Sequence, residues 1–284
     1  MQKAAIENIE INLLLQAIYE RYGYDFRNYA RASVERRTRH FASMEKFGSV
    51  SEMIPALLND ERFFEKLVRE YSITVTELFR DPVVYRTICE QVFPILATWP
   101  FVRIWHAGCA TGEEVYSMAI LLKEYGLYDK TTIFATDFND EALQTGRKGI
   151  YNIEGIQKAT ANYQIAGGNR SLSDYYHAKY DSIVMAGSLS KNITFANHNL
   201  VNDGVFGEMN FILCRNVMIY FDIKLQERVL DVFRDSLVNG GFLCLGTKES
   251  MICSDINRTF IPFNEKQKIY RRIYSKSNDF IVNC

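Results

Sequence analysis

The chain has 284 residues, 48% of them hydrophobic, with 33 basic against 34 acidic side chains and a formal net charge of −1. That length supports a well-buried core in one large domain or two, and so even a charge offers no general affinity for nucleic-acid phosphates. The chain lacks the roughly 18 consecutive apolar residues of a membrane span, and its acidic, amphipathic start MQKAAIENIEINLLLQ has no small-residue cleavage site, so neither membrane insertion nor a signal peptide is expected.

Residues 1 to about 75 read as helices. Ile9, Leu13, Leu14, Ala17 and Ile18 recur at helical spacing as the buried face of the first, and Gly23 ends it. A second helical stretch, about 27 to 46, carries Arg27, Arg31, Arg36, Arg37, Arg39 and Lys46 against Glu35 and Glu45. It is either a solvated polar face or a docking surface for an acidic partner. Two shorter helices, about 50–59 and 61–71, complete a small bundle. The stretch SITVTELFRDP (72–82) then breaks the pattern, and Asp81-Pro82 opens a further helix through Val84, Ile88 and Val92. Arg80 is either a plain surface residue or a guanidinium reaching over a ligand cleft.

Residues 101 to 117, FVRIWHAGCATGEEVYS, organise the rest. An apolar strand runs into a turn of small residues and then a helix with Val115, Met118, Ala119 and Leu122 on one face. Such a turn brings backbone close to a nucleotide-like ligand. Here Glu113 and Glu114 stand where a pyrophosphate site would carry no negative charge, yet they suit an α-amino group or a sulfonium. That chemistry points to S-adenosylmethionine (AdoMet) rather than NAD.

From there strands and helices alternate, which predicts a parallel sheet. The second strand, Thr132 to Thr136, ends at Asp137, placed to take the two hydroxyls of a ribose or to cap the helix opening near Asn139. Residues 150 to 190 lose the alternation and read as an excursion with short antiparallel strands, including Tyr180 to Met185. A third core strand, Ile193 to Ala196, leads into NHNL, and a fourth, Met209 to Cys214, into RNVMIYF, with Arg215 and Asn216 at its C-terminal edge. A helix over about 223–238 stops at Asn239-Gly240-Gly241; Phe242 to Leu245 and Gln267 to Ile273 are the last strands. Six cysteines without C-x-x-C spacing read as reduced core thiols of a cytoplasmic protein, and four scattered histidines assemble no metal site.

The segments TVTELFRD, WHAGCATGEEVYS, ATDFNDEAL, NHNL, CRNVMIYFD and LGTKES, in this order between about 74 and 250, resemble the CheR-type chemotaxis receptor (protein-glutamate) O-methyltransferases. The resemblance implies an α/β fold: an AdoMet-dependent methyltransferase Rossmann-like sheet with a small N-terminal helical domain (1–75) and a methyltransferase domain (76–284) containing a β-subdomain at about 150–190. It implies that AdoMet and its product S-adenosylhomocysteine (AdoHcy) bind through Thr74, Thr76, Arg80, Asp137, Asn199, Leu200, Arg215, Asn216 and one of Glu113 and Glu114, with Arg80 and Tyr220 at the methyl-transfer zone. Thr74 replaces an asparagine frequent in the first motif, Val115 replaces a proline common after GEE, and no match stands out to the glycine-bearing loop with which some members bind a receptor tether.

The implied partner is the cytoplasmic domain of a chemoreceptor, methylated on glutamate by a monomeric, cytoplasmic enzyme. A glutamate, with a pKa of about 4.3, is already ionised at neutral pH and attacks a sulfonium methyl without a catalytic base. A nucleic-acid methyltransferase would need a polar-Pro-Pro-aromatic tetrad or a Pro-Cys nucleophile, and the five prolines form neither. A non-catalytic AdoMet-sensing module of the same fold is the other alternative; the intact set of Arg80, Asp137, Arg215, Asn216 and Tyr220 argues against it.

Overall fold

The computed structural model describes residues 2–72, 75–251 and 259–273. Helices α1 (Gln2–Tyr22), α2 (Arg31–Met44), α3 (Met53–Asn59) and α4 (Glu61–Tyr71) form a bundle with its own core. Gly23, at φ +76°, closes α1 by donating its N–H to the Tyr19 carbonyl, and the Asp60 carboxylate accepts the Arg62 N–H to start α4. The buried face of α1 is Ile11, Leu14, Leu15 and Ile18; Ile9 and Leu13, expected inside, are 59% and 54% exposed. This helix carries two overlapping apolar stripes, and periodicity alone does not say which one meets the neighbouring helices.

A rod of α5 (Pro82–Thr87), a π turn (Ile88–Val92) and α6 (Phe93–Ala97) leads to the sheet. There follow β1 (Val102–Ala107), α7 (Glu113–Glu124), β2 (Thr131–Asp137) and α8 (Asp140–Lys148). The excursion holds β3 (Ile150–Asn152), α9 (Ile156–Ile165), β4 (Tyr176–Lys179) and β5 (Ser182–Met185). The chain then returns through β6 (Ile193–Asn197), β7 (Met209–Cys214), α10 (Ile223–Ser236), β8 (Leu237–Leu245), β9 (Phe260–Asn264) and β10 (Ile269–Arg272). The main sheet runs β6-β2-β1-β7-β8-β10-β9, with β10 antiparallel to both β8 and β9. Strand order reverses between β1 and β7, and the crevice beyond the carboxyl ends of those two parallel strands is where such sheets bind ligands.

Three local expectations change. Helix α10 stops at Ser236, because residues 237–241 already belong to β8: Leu237 pairs with Met209 across an irregularity in the ladder. Gly241 fits there because a Cβ would lie 2.9 Å from the Val238 carbonyl and 3.0 Å from that of Asn210. The excursion contains α9, anchored through Tyr163 and Tyr175 hydroxyls that both donate to Glu124 of α7, beside the small sheet β3-β5-β4. Tyr180, expected in a strand, sits at the β4–β5 turn with φ +53°. Strand β9 had no distinct periodic signature. Thr74 lies outside the described residues, as do Cys253 and Cys284; Cys89, Cys109, Cys214 and Cys244 are buried free thiols. Among the described residues no helix is long and apolar enough to cross a membrane.

The bundle is clasped to the sheet domain. Residues 28–30 pair with 220–222, the Ala30 N–H donating to the Tyr220 carbonyl at 2.7 Å and the Asp222 N–H to that of Asn28 at 2.9 Å. Phe138, directly after β2, meets Tyr24 and Phe26 edge-on at 6.2 and 6.0 Å.

Candidate active site

The end of β1 shapes the cleft. Gly108 and Cys109 donate their N–H groups to the Thr136 carbonyl, and Gly108 has φ +77°. A Cβ there would lie 2.5 Å from the Val217 side chain, so glycine is what lets this turn approach the loop after β7. Glu113 and Glu114 open α7 but separate at once. The Glu113 carboxylate accepts the Thr111 hydroxyl at 2.6 Å and is not among the cleft-lining residues, whereas Glu114 lines the cleft.

Glu114 is the centre of a buried charge network. One oxygen accepts from His106 Nδ1 at 2.8 Å, the other from an Arg215 guanidinium nitrogen at 3.0 Å. Arg215 also donates to the Asp81 carboxylate at 3.0 Å and the Arg80 carbonyl at 3.1 Å, with its guanidinium 5.5 Å from the Tyr85 ring centroid. Burial opposes both charges. For Glu114 the His106 bond and the Arg215 charge outweigh it, holding the carboxyl below its ordinary range. For Arg215 the carboxylates likewise win and the guanidinium is held more firmly protonated than usual.

Asp137 closes the opposite wall, with its carboxylate accepting the Ala110 N–H at 2.9 Å and the Asn139 N–H at 3.0 Å. Each oxygen retains a lone pair for a further donor. Burial raises its carboxyl above the ordinary value despite these bonds. The helix cap belongs to Asn139, whose side-chain oxygen accepts the N–H groups of Glu141 and Ala142. After β6, His198, Asn199 and Leu200 line the same cleft; Asn199 Oδ1 is turned to the Val201 N–H in a local turn.

The cleft, open mouth included, encloses about 860 Å³. Thr76, Arg80, Glu114, Asp137, Asn199, Leu200, Arg215, Asn216 and Tyr220 line it together, although they come from widely separated parts of the chain. Tyr29 and Tyr71 of the helical bundle also line it, and no sequence signal marked them. Nor did local sequence reveal that His106 and Asp81 serve as partners of Glu114 and Arg215.

Residues 74–269 match the family model described as CheR methyltransferase, SAM binding domain, and residues 9–71 that of the CheR methyltransferase all-alpha domain. The chain belongs to the CheR methyltransferase family. Among relatives, a protein of Pseudomonas putida named as methyltransferase Cher3 is 45% identical over 93% of this chain and 97% of its own length. The chemotaxis protein methyltransferases of Salmonella typhimurium and Borreliella burgdorferi are 28% and 27% identical, covering 91% and 85% of this chain and 89% and 88% of theirs.

This CheR chain is an AdoMet-dependent methyltransferase, and its donor set fits AdoMet. The cleft offers a paired carboxylate and guanidinium, a second buried carboxylate on the opposite wall, and apolar Leu200, Val201 and Phe138 alongside, a mix of charged and apolar groups that matches a ligand with charged, hydroxylated and aromatic parts. Two buried cleft atoms, Arg215 Nε and His198 Nδ1, have no partner among the described residues, as expected of a polar wall that faces a ligand.

Proposed function

We propose that this CheR methyltransferase methylates glutamate side chains on the cytoplasmic domain of a chemoreceptor, giving methyl esters and AdoHcy. The observation that carries this reading is that Arg80 and Tyr220 line the same cleft, where a carboxylate nucleophile, ionised beforehand, needs no base. His198, the cleft histidine, lies beside Asn199 and Leu200 on the side we assign to adenine, with Nε2 on the Gly204 carbonyl and its ring edge-on to Trp105 at 5.3 Å. When bound, AdoMet supplies a methyl on a sulfonium, which forms a C–O bond with the carboxylate as the S–C bond breaks.

In this reading Glu114 and Arg215 receive the amino acid end of AdoMet, and Asn216 and Thr76 border it. Asp137 takes the ribose, and Asn199 and Leu200 the adenine. Glu113 is withdrawn from the cofactor contacts because it does not line the cleft, its carboxylate being turned to the Thr111 hydroxyl. Arg80, held by a bond to the Val75 carbonyl at 3.1 Å, steers the incoming carboxylate, and the Tyr220 hydroxyl fixes its approach. Catalysis is then alignment and exclusion of water around a nucleophile that is ionised beforehand.

The product tests the assignment. Receptor labelled from methyl-tritiated AdoMet should release its label as volatile methanol in mild alkali, since esters hydrolyse and N-methyl groups do not. Label that stays on the protein through alkali would exclude carboxyl methylation.

The arginine-rich stretch is narrower as a docking surface than its composition implied. Arg27 pairs with Asp25, Arg31 with Glu35, and Arg39 with Glu7 and Glu35. Arg36 is exposed, and Arg37 is bonded to the Glu70 carbonyl. We therefore place receptor docking at Arg36 and Arg37. The R36E/R37E variant should lower methylation of intact receptor about tenfold at low salt and less at high salt, while AdoHcy affinity stays at the parent value. Equal receptor KM for variant and parent at both ionic strengths would return these residues to a solvated face.

A further inference from the structure

Glu249, in the LGTKES segment, lies outside the cleft lining and is 4% exposed. Its carboxylate is saturated by backbone. One oxygen accepts the Asn216 N–H at 3.0 Å and the Gly246 N–H; the other accepts the Val217 N–H at 2.9 Å and the Ile219 N–H at 3.3 Å. An ionised carboxylate has about four lone-pair sites, so four donors fill it. Three of the four come from the loop that carries Asn216 to Tyr220.

That loop needs holding. Asn216 has φ +62°, a left-handed conformation in which a side-chain-bearing residue is strained, although asparagine tolerates it better than most. The next residues make a single short turn, Met218–Tyr220, before α10 begins. Downstream, residues 28–30 grip the backbone of 220–222. Upstream, the grip on the loop is Glu249. Gly246 leaves room for it: a Cβ there would lie 2.6 Å from the Glu249 carboxylate and 2.8 Å from the Asn216 nitrogen.

We propose that Glu249 is a positioning residue for methyl transfer, a buried anion that gathers the Asn216–Ile219 backbone and thereby aims Tyr220 into the cleft. This rests on the reading of Tyr220 as a transfer-zone residue. Glutamine has the same shape but one accepting oxygen. E249Q therefore orphans two of the four N–H groups and sets an NH₂ against them, while Tyr220 itself is unchanged.

The test is a double-mutant cycle in the full chain: parent, E249Q, Y220F and E249Q/Y220F. Its readouts are kcat and KM for receptor, AdoHcy affinity by calorimetry and thermal melting. E249Q should lower kcat about 10- to 100-fold, as misplacement of a reacting group does, with a smaller change in AdoHcy affinity. In the Y220F background the same substitution should cost less than about threefold, because neighbours acting as one unit are not additive. A bystander that merely stabilises the fold would instead lower kcat equally in both backgrounds, and that result overturns the proposal, as does parent-like turnover by E249Q. Parent-like turnover by Y220F alone sinks the reading of Tyr220 and is seen separately. Should E249Q not fold, E249D, which keeps the charge but shortens its reach, goes through the same cycle with the same criteria.

Discussion

Replacing Arg215 by methionine is expected to cost about 3–5 kcal/mol of folding stability, the usual penalty for stripping one partner from a buried ion pair. The Arg215 side chain is 1% exposed and Glu114 15%, so water replaces the lost guanidinium poorly. Glu114 would retain His106 alone, and Asp81, at 38% exposed, would turn to solvent. The double variant R215M/E114Q removes the orphaned charge and should recover part of the loss. Urea denaturation of the two variants and the parent measures this. A loss below about 1 kcal/mol in R215M would mean that the pair behaves as a surface pair.

The pH dependence follows from the same network. Glu114 is held below its ordinary value of 4.5 in the folded protein. A carboxyl with a depressed folded pKa contributes stability that is fully present above the unfolded value and is lost as pH falls through the folded one. The parent should therefore lose this contribution on acidification below pH 4.5, and E114Q should not show that component.

Asp137→Asn should weaken AdoHcy by about 1–3 kcal/mol, roughly 5- to 150-fold, as a charged acceptor for the ribose is replaced by an amide. Its carboxyl is shifted in the direction opposite to that of Glu114. Burial, only partly countered by the N–H groups of Asn139 and Ala110, raises the Asp137 carboxyl above 3.8. Protonation removes an acceptor, so AdoHcy affinity of the parent should fall on acidification beginning above pH 3.8, whereas D137N should be flat there. Calorimetry across that range decides it, and unchanged affinity in folded D137N would remove Asp137 from the ligand site.

Much of the fold was legible locally. Strands β1, β2, β6 and β7 lie within a residue or two of their apolar runs, and Gly23 acts as the helix stop its chemistry predicts. The misreadings share one cause. Ile9 and Leu13 looked like core on period alone, but burial depends on which face a neighbouring helix covers. Gly240-Gly241 looked like a helix stop, but the glycines accommodate a bulged strand whose partner, Met209, lies some thirty residues earlier.

For the site, residue types and motif order were enough to name AdoMet, the carboxylate at the tip of β2 and the polar edge after β7, because these follow from where a strand ends and a turn begins. The choice between Glu113 and Glu114 was not available there. Adjacent residues on a helix point about 100° apart, and only the position of Arg215, directly after a strand about one hundred residues later, determines which carboxylate is drawn inward and which stays with Thr111. The same holds for Tyr29 and Tyr71, which reach the cleft because residues 28–30 pair with 220–222, and for Glu249, whose four donors meet it only once β7 and β8 lie side by side. Local chemistry specifies which groups a segment offers; long-range strand pairing and burial decide which of them face one another.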